Sequence, residues 1–264
     1  MSTAESDANQ RTTMLAMPLL DHLRELRKRL FIAAVAISLG SIVAWFFYEP
    51  LIAIMRKPWD VYQQNGASNG VKVPDLVITG IATPFTLQLQ ISVIAGIVIT
   101  SPIWLYELWA FVTPGLHKRE RQWTVIFLAV SVPLFAAGVW LAYIFLPHGL
   151  QILLGFTPTN FSNLITASEY FTFVTRMLLV FGVAFLLPVF VVLLNAVGIL
   201  SAGRLRSWWR GITFGVFVFA AVATPTGDPW TMLALATPML ILLFISFAIA
   251  WSNDRRRARA QEAN

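Results

Sequence analysis

No cysteine occurs in the 264 residues, so the chain has no disulfide, no thiolate metal site and no thiol nucleophile. Charge is also scarce. Asp, Glu, Lys and Arg make up 12% of the chain, against roughly 25% in a soluble domain. That shortage, with 57% hydrophobic residues and a mean hydropathy of +0.70, excludes an ordinary soluble domain and indicates a polytopic membrane protein. Histidine is limited to His22, His117 and His148. They are scattered, form no HxxxH or HExxH motif and join no carboxylate cluster, so each reads as interfacial and no metal site is expected. No GxxxxGK[ST] loop is present, which excludes a P-loop motor. No Ser/His/Asp or Ser/Lys set assembles at one depth, so no catalytic residue is assigned, and the chain reads as a non-enzyme without a cofactor. No repeat of 20–50 residues is found and no inverted repeat, which argues against common transporter architectures. Met1 to Met17 is polar and lacks an apolar h-region, so it does not read as a signal peptide, and the first span is expected to serve as the insertion signal.

What is present is a series of long apolar runs separated by polar punctuation. An amphipathic stretch from Pro18 to Arg29, with Leu19, Leu23, Leu26 and Leu30 at helical spacing, predicts a helix along the membrane surface that bends into the bilayer. Six spans follow, each judged against the ~20 residues that a bilayer requires. They cover about residues 30–48, 83–112, 123–146, 169–199, 208–224 and 230–251. Pro102 and Pro188 are expected to kink the second and fourth, Pro133 and Pro238 lie inside the third and sixth, and Pro147 is expected to stop the third. Residues 50–84 contain too many breakers for a single regular element. The expected fold is therefore an all-α integral membrane protein with six transmembrane helices. Its parts are a disordered cytoplasmic tail at 1–17, a membrane domain at 18–251 and a basic cytoplasmic tail at 252–264.

Charge asymmetry orients the chain. With both termini inside, fifteen of the nineteen Lys and Arg residues fall on the inner side. Only Arg56, Lys57 and Lys72 fall outside, and Arg176 lies within the fourth span. The positive-inside rule then predicts a multi-pass protein of a bacterial-type cytoplasmic membrane, with N and C termini inside. The same rule and anionic lipid explain the net charge of +6; nucleic acid is not required.

Two polar clusters stand out. One is His22-Leu-Arg-Glu-Leu-Arg-Lys-Arg-Leu30, and the other is Phe111-Val-Thr-Pro-Gly-Leu-His-Lys-Arg-Glu-Arg121 between two apolar runs. As an isolated loop the second would be a topology anchor, but Glu120 is an acid that such an anchor does not need. Within the spans, Glu107 either snorkels to the boundary or makes a polar contact with a neighbouring helix or partner. Gln88 and Gln90 need partners or a cavity. Arg176, about two turns into the fourth span, either snorkels outward or pairs.

The first cluster resembles the N-terminal His-Leu-x-Glu-Leu-Arg-x-Arg signature of the TatC family, the polytopic receptor subunit of the twin-arginine protein translocase. Trp109-Ala-Phe-Val-Thr-Pro-Gly-Leu116 followed by Lys118-Arg-Glu-Arg121 resembles that family's first cytoplasmic loop. Phe181 to Pro188 resembles its fourth span and Ala223-Thr-Pro-Thr-Gly-Asp228 its last outer turn. The resemblance implies a receptor for Arg-Arg signal peptides on folded cargo. It also implies export driven by the proton-motive force, single-span TatA and TatB partners, and self-association in a larger complex. It maps the acidic patch for the arginine pair onto Glu25 and Glu120, with Arg27, Phe111, Pro114, Leu116 and Arg121 on the receptor surface. Gln90, Glu107, Arg176 and Asp228 are the expected partner-helix or translocation contacts. One position departs: where many members carry Glu or Gln two residues before the span-four proline, this chain has Leu186. The alternative reading is a proton-coupled secondary transporter or channel for a small solute, which would need a polar midplane site.

Overall fold

Helices form wherever the backbone must satisfy its own hydrogen bonds in an apolar solvent. A computed structural model describes residues 3–68, 75–112, 121–157, 164–196, 198, 200–223 and 229–262. Within its helices, the side chains of 3–21, 67–68, 112, 121–124, 223, 257–258 and 260–262 are outside that description. The elements are α1 (Thr3–Phe46), α2 (Tyr48–Ser68), α3 (Thr83–Ile99), α4 (Ser101–Val112), α5 (Arg121–Gly155), α6 (Ala167–Ala184), α7 (Leu187–Ala196), α8 (Ala202–Ser207), α9 (Trp209–Ala223) and α10 (Pro229–Glu262). Among the described residues the only β-pairing is an isolated bridge between Val77 and Thr166. Among the described residues, four helices are long and apolar enough to cross a membrane: His22–Phe46, Val125–Gly155, Ala167–Ala196 and Pro229–Arg256. The pair Thr83–Ile99 and Ser101–Phe111, bent by 59°, makes a fifth if it is one span. Trp209–Val222 is a shorter apolar helix where the fifth span is expected in sequence.

Proline accounts for the two breaks. Pro102 has no N–H for the carbonyl of Val98, and its ring crowds that carbonyl. The helix stops at Thr100, whose hydroxyl and backbone N–H both donate to the Gly96 carbonyl, at 2.7 and 3.0 Å. The Trp104 indole N–H donates to the Ile97 carbonyl at 2.9 Å. Pro188 likewise sits in the first turn of α7, where a missing N–H is tolerated.

Four features bear on the expectations, and the second corrects one. First, residues 50–84 are not a single regular element, as expected, and their first part belongs to α2, a 21-residue helix with Pro58 inside it. Pro58 cannot donate to the carbonyl of Ile54, and the Tyr143 hydroxyl does so from α5 at 2.9 Å. The buried Tyr170 hydroxyl donates from α6 to the Met55 carbonyl at 2.8 Å. Tyr143 thereby meets the carbonyl that the proline leaves without a donor, Tyr170 adds a bond to the next carbonyl, and Met55 and Trp59 join the core. Second, α5 continues through Pro147 to Gly155, since a proline in an apolar helix is tolerated when neighbours pack around it. Leu146 and Leu150 are buried there. Third, α10 continues past Trp251 because Asn253 and Asp254 have partners. Asp254 accepts from the Asn195 amide (3.0 Å) and from the backbone N–H of Ala202 (2.7 Å), and the Asn253 amide donates to Asn195 Oδ1 at 3.1 Å. Fourth, Leu23 and Leu30 are 59% and 66% exposed, so these leucines of α1 point away from the protein, in keeping with a helix that meets the membrane.

The interfaces are close. A Cβ on Gly40 of α1 would lie 2.5 Å from Thr100 Cγ2, and one on Gly96 of α3 would lie 2.6 Å from the Ser41 backbone nitrogen. Such small-residue contacts let membrane helices approach where no water is available to drive them together. Between α2 and α3, Val77 donates to the Ile165 carbonyl and accepts from the Ala167 N–H, at 3.1 and 2.8 Å. Thr166 and Glu169 form a capping box that starts α6.

Tyr170→Phe is expected to remove a buried bond between α6 and α2. The cost is about 0.5–1.5 kcal/mol, read as a lower unfolding midpoint in detergent; an unchanged midpoint would reject this account of how α2 docks.

Candidate functional site

Helix α1 approaches α4 at the basic end of the bundle, and the spacing of its polar residues decides what meets there. Glu25 and Arg29 are four apart, so they lie on one face one turn from each other. Arg29 donates through Nε and Nη2 to Glu25 Oε1, at 3.0 and 2.6 Å. Its Nη1 donates to Glu107 Oε2 of α4 at 3.2 Å, across 78 residues of sequence. The three side chains are partly buried, with exposures of 33% for Glu25, 23% for Arg29 and 12% for Glu107. One turn earlier on α1, His22 stacks on Phe111 with ring centroids 4.6 Å apart.

This cluster holds two carboxylates and one guanidinium, so its formal charge is −1. Among the described residues, Glu25 Oε2 and Glu107 Oε1 accept no hydrogen bond. The arrangement can therefore accept a further cation, and two free carboxylate oxygens suit a planar donor fork better than a point charge. Arg29 holds the carboxylates in place without neutralising both.

The flanks of the following loop are pinned. Trp109 is fully buried, and its indole donates to the Ser131 hydroxyl at 2.7 Å, tying α4 to α5. Phe111 is seated on His22. The loop residues Pro114, Leu116 and Glu120 lie outside the described residues, as do Asp228 and the side chain of Arg121. Arg27 is exposed on α1 and is not part of the ion-paired cluster.

The other expected residues separate from this site. Gln90 meets α6: its amide donates to Thr175 Oγ1 at 2.8 Å and to Thr172 Oγ1 at 3.4 Å. Its NH2 group thus ties α3 to α6 within the chain. Arg176 is exposed on α6, and among the described residues no carboxylate pairs with it. Leu186 is 3% exposed and packs in a cluster with Leu105, Trp109, Phe127 and Phe135. The departing position thus faces the protein interior, where a leucine fills space and a carboxylate would need a partner.

Arg29 was not singled out by sequence reasoning. The signal available was the Glu-to-Arg i,i+4 spacing, which is common on helices and does not reveal the cross-helix contact to Glu107.

Residues 21–238 match the family described as Sec-independent protein translocase protein (TatC). The chain is 45% identical over 247 residues to the Sec-independent protein translocase protein TatC of Frankia casuarinae, covering 92% of this chain and 68% of that one. It is 40% identical over 243 residues to the TatC protein of Xylanimonas cellulosilytica, covering 92% and 87%. A crystal structure of the twin arginine translocase receptor TatC in DDM superposes with a TM-score of 0.73 at 30% identity, over 87% of this chain and 99% of that chain.

Proposed function

The chain belongs to the TatC family, the receptor subunit of the twin-arginine translocase, and from that premise we propose that the Glu25–Arg29–Glu107 cluster is the α-helical half of its signal-peptide site. The observation that supports this is the residual charge of −1 with a free oxygen on each of two carboxylates. One guanidinium of the peptide's arginine pair docks on Glu25 beside Arg29. The second is met by Glu120, in the segment that follows α4. The stacking of Phe111 on His22 supports this pairing, because it holds the last turn of α4 one turn from Glu25 on α1. Arg27, Pro114, Leu116 and Arg121 frame the same surface, and Glu107 belongs to it in addition to any partner contact. The test is peptide affinity for purified wild type, Glu25→Gln, Glu120→Gln and the double variant. Wild-type binding by the double variant would reject the patch.

The remaining assignments extend the family reading. Folded cargo is exported at the expense of the proton-motive force, with TatA- and TatB-like single-span subunits and further copies of this chain; the chain itself is not an enzyme. It resides in a bacterial-type cytoplasmic membrane with both termini inside, as the fifteen-to-three charge split supports. Residues 18–251 form the membrane domain, flanked by tails at 1–17 and 252–264. Asp228 acts in the last outer turn. A solute carrier needs a free polar midplane site, and the Gln90 amide is already held by two threonines.

Arg176 is the proposed contact for a partner helix, because a cation at that depth gains most from a carboxylate supplied by a neighbour. Arg176→Leu is expected to abolish co-purification of the single-span subunits. Arg176→Lys, which keeps the charge, should retain it. Normal assembly with Leu would assign Arg176 to snorkelling alone.

A further inference from the structure

The basic end of α10 carries a second site, distinct from the peptide patch and independent of it. Between α8–α9 and α10 lies a groove of about 650 Å³, lined by Trp209, Phe244, Phe247 and Trp251, with Arg206 beside them. That volume falls within the ~300–1,000 Å³ of ordinary ligand sites. The aromatic walls are held together: Trp209 packs on Phe244 and Phe247, each with centroids 6.2 Å apart. They remain accessible, with Phe244 61% and Trp251 48% exposed.

The rim is cationic. The Arg255 guanidinium lies 3.6 Å over the Trp251 ring, and Arg206 is exposed. Asp254 is the nearest acid in sequence, but both its oxygens are taken, by the Asn195 amide and the Ala202 N–H. Among the described residues, neither Arg206 nor Arg255 is ion-paired. The latch through Asp254 also fixes the start of α8 against α10, so Arg206 is presented from a backbone that is tied down.

We propose that this groove binds an anionic phospholipid, with an acyl chain along Trp209, Phe244 and Phe247 and the headgroup phosphate at Arg206 and Arg255. An apolar wall continuous with two guanidiniums that form no ion pair among the described residues matches a molecule that joins a long hydrocarbon to a phosphate. A guanidinium fork suits that phosphate. An acidic peptide would match the rim and leave the aromatic wall uncovered. A zwitterionic lipid would match the wall, but its own cation would sit among the arginines.

Native mass spectrometry of the detergent-purified full chain, titrated with phosphatidylglycerol or phosphatidylcholine of the same chains, tests the proposal. The expected result is at least tenfold tighter retention of phosphatidylglycerol. Arg206→Gln should weaken phosphatidylglycerol about tenfold and leave phosphatidylcholine unchanged. Lys57→Gln, which removes the same charge from an exposed position on α2, should leave both within twofold. Should Arg206→Gln not yield folded protein, Arg206→Lys carries the test: it keeps charge but loses the fork, and is expected to weaken phosphatidylglycerol several-fold. Equal retention of the two lipids by wild type would overturn the site, as would Arg206 variants that behave like Lys57→Gln. Loss of peptide binding in Glu25 or Glu120 variants has no bearing on either result.

Discussion

Changing Glu25 and Glu120 together to Gln is expected to weaken binding of a twin-arginine signal peptide by two or more orders of magnitude. Each substitution keeps size and hydrogen-bonding shape and removes one negative charge. A hydrogen bond to a charged group contributes about 1.5–3 kcal/mol, so each single change should weaken binding by roughly 10- to 150-fold at about 1.4 kcal/mol per decade. In the Glu25→Gln variant the cluster around Arg29 becomes neutral, with Glu107 alone opposing the guanidinium. The local attraction for a further cation is then lost along with the bond. Glu25 is 33% exposed and its pairing with Arg29 is an i,i+4 contact, so the fold should lose little, within the 0–1 kcal/mol typical of such pairs. Peptides with Lys in place of the arginine pair should lose less from these changes, since an ammonium does not make the bidentate contact. Glu120→Lys should be worse than Glu120→Gln, because repulsion adds to the lost bond. Titrations of labelled peptide into purified protein decide the matter. Double-variant affinity equal to wild type would remove both acids from the site.

Gly96→Val is expected to prevent accumulation of the folded protein. A Cβ at Gly96 would stand 2.6 Å from the backbone nitrogen of Ser41 and 2.8 Å from its Cα. Backbone cannot rotate aside as a side chain can, so α1 and α3 must separate along their contact. That separation would also pull the Gly40–Thr100 contact apart, because Gly40 lies on the same seam. Overpacking typically costs about 1–3 kcal/mol and occasionally more; here the displacement falls on two helix backbones at once. Gly96→Ala should be folded but less stable, measured as a lower midpoint in detergent. Gly215→Val serves as the control, because no atom lies within 4 Å of a Cβ built there. A Gly96→Val protein as stable as the control would show that the seam is not tight.

The Glu25–Arg29 pair illustrates how far one-dimensional reading reaches. Hydropathy and proline placement were enough for a membrane helical protein, its apolar runs, and breaks near Pro102 and Pro188. These follow from local rules: a missing N–H at proline, and the cost of charge in lipid. The motif residues alone were enough to suggest the family and to mark Glu25. What needed the tertiary structure was every contact that depends on how a helix is rotated and which neighbour it meets. Arg29 joins Glu25 to Glu107 across 78 residues of sequence. Gln90 turns inward to Thr172 and Thr175, Leu186 fills the interior, and two tyrosines satisfy the carbonyls around Pro58. In a bilayer an apolar face does not reveal which side is inside, since lipid is as apolar as a core. Leu23 and Leu30 of α1 accordingly face outward while its ion pair faces the protein.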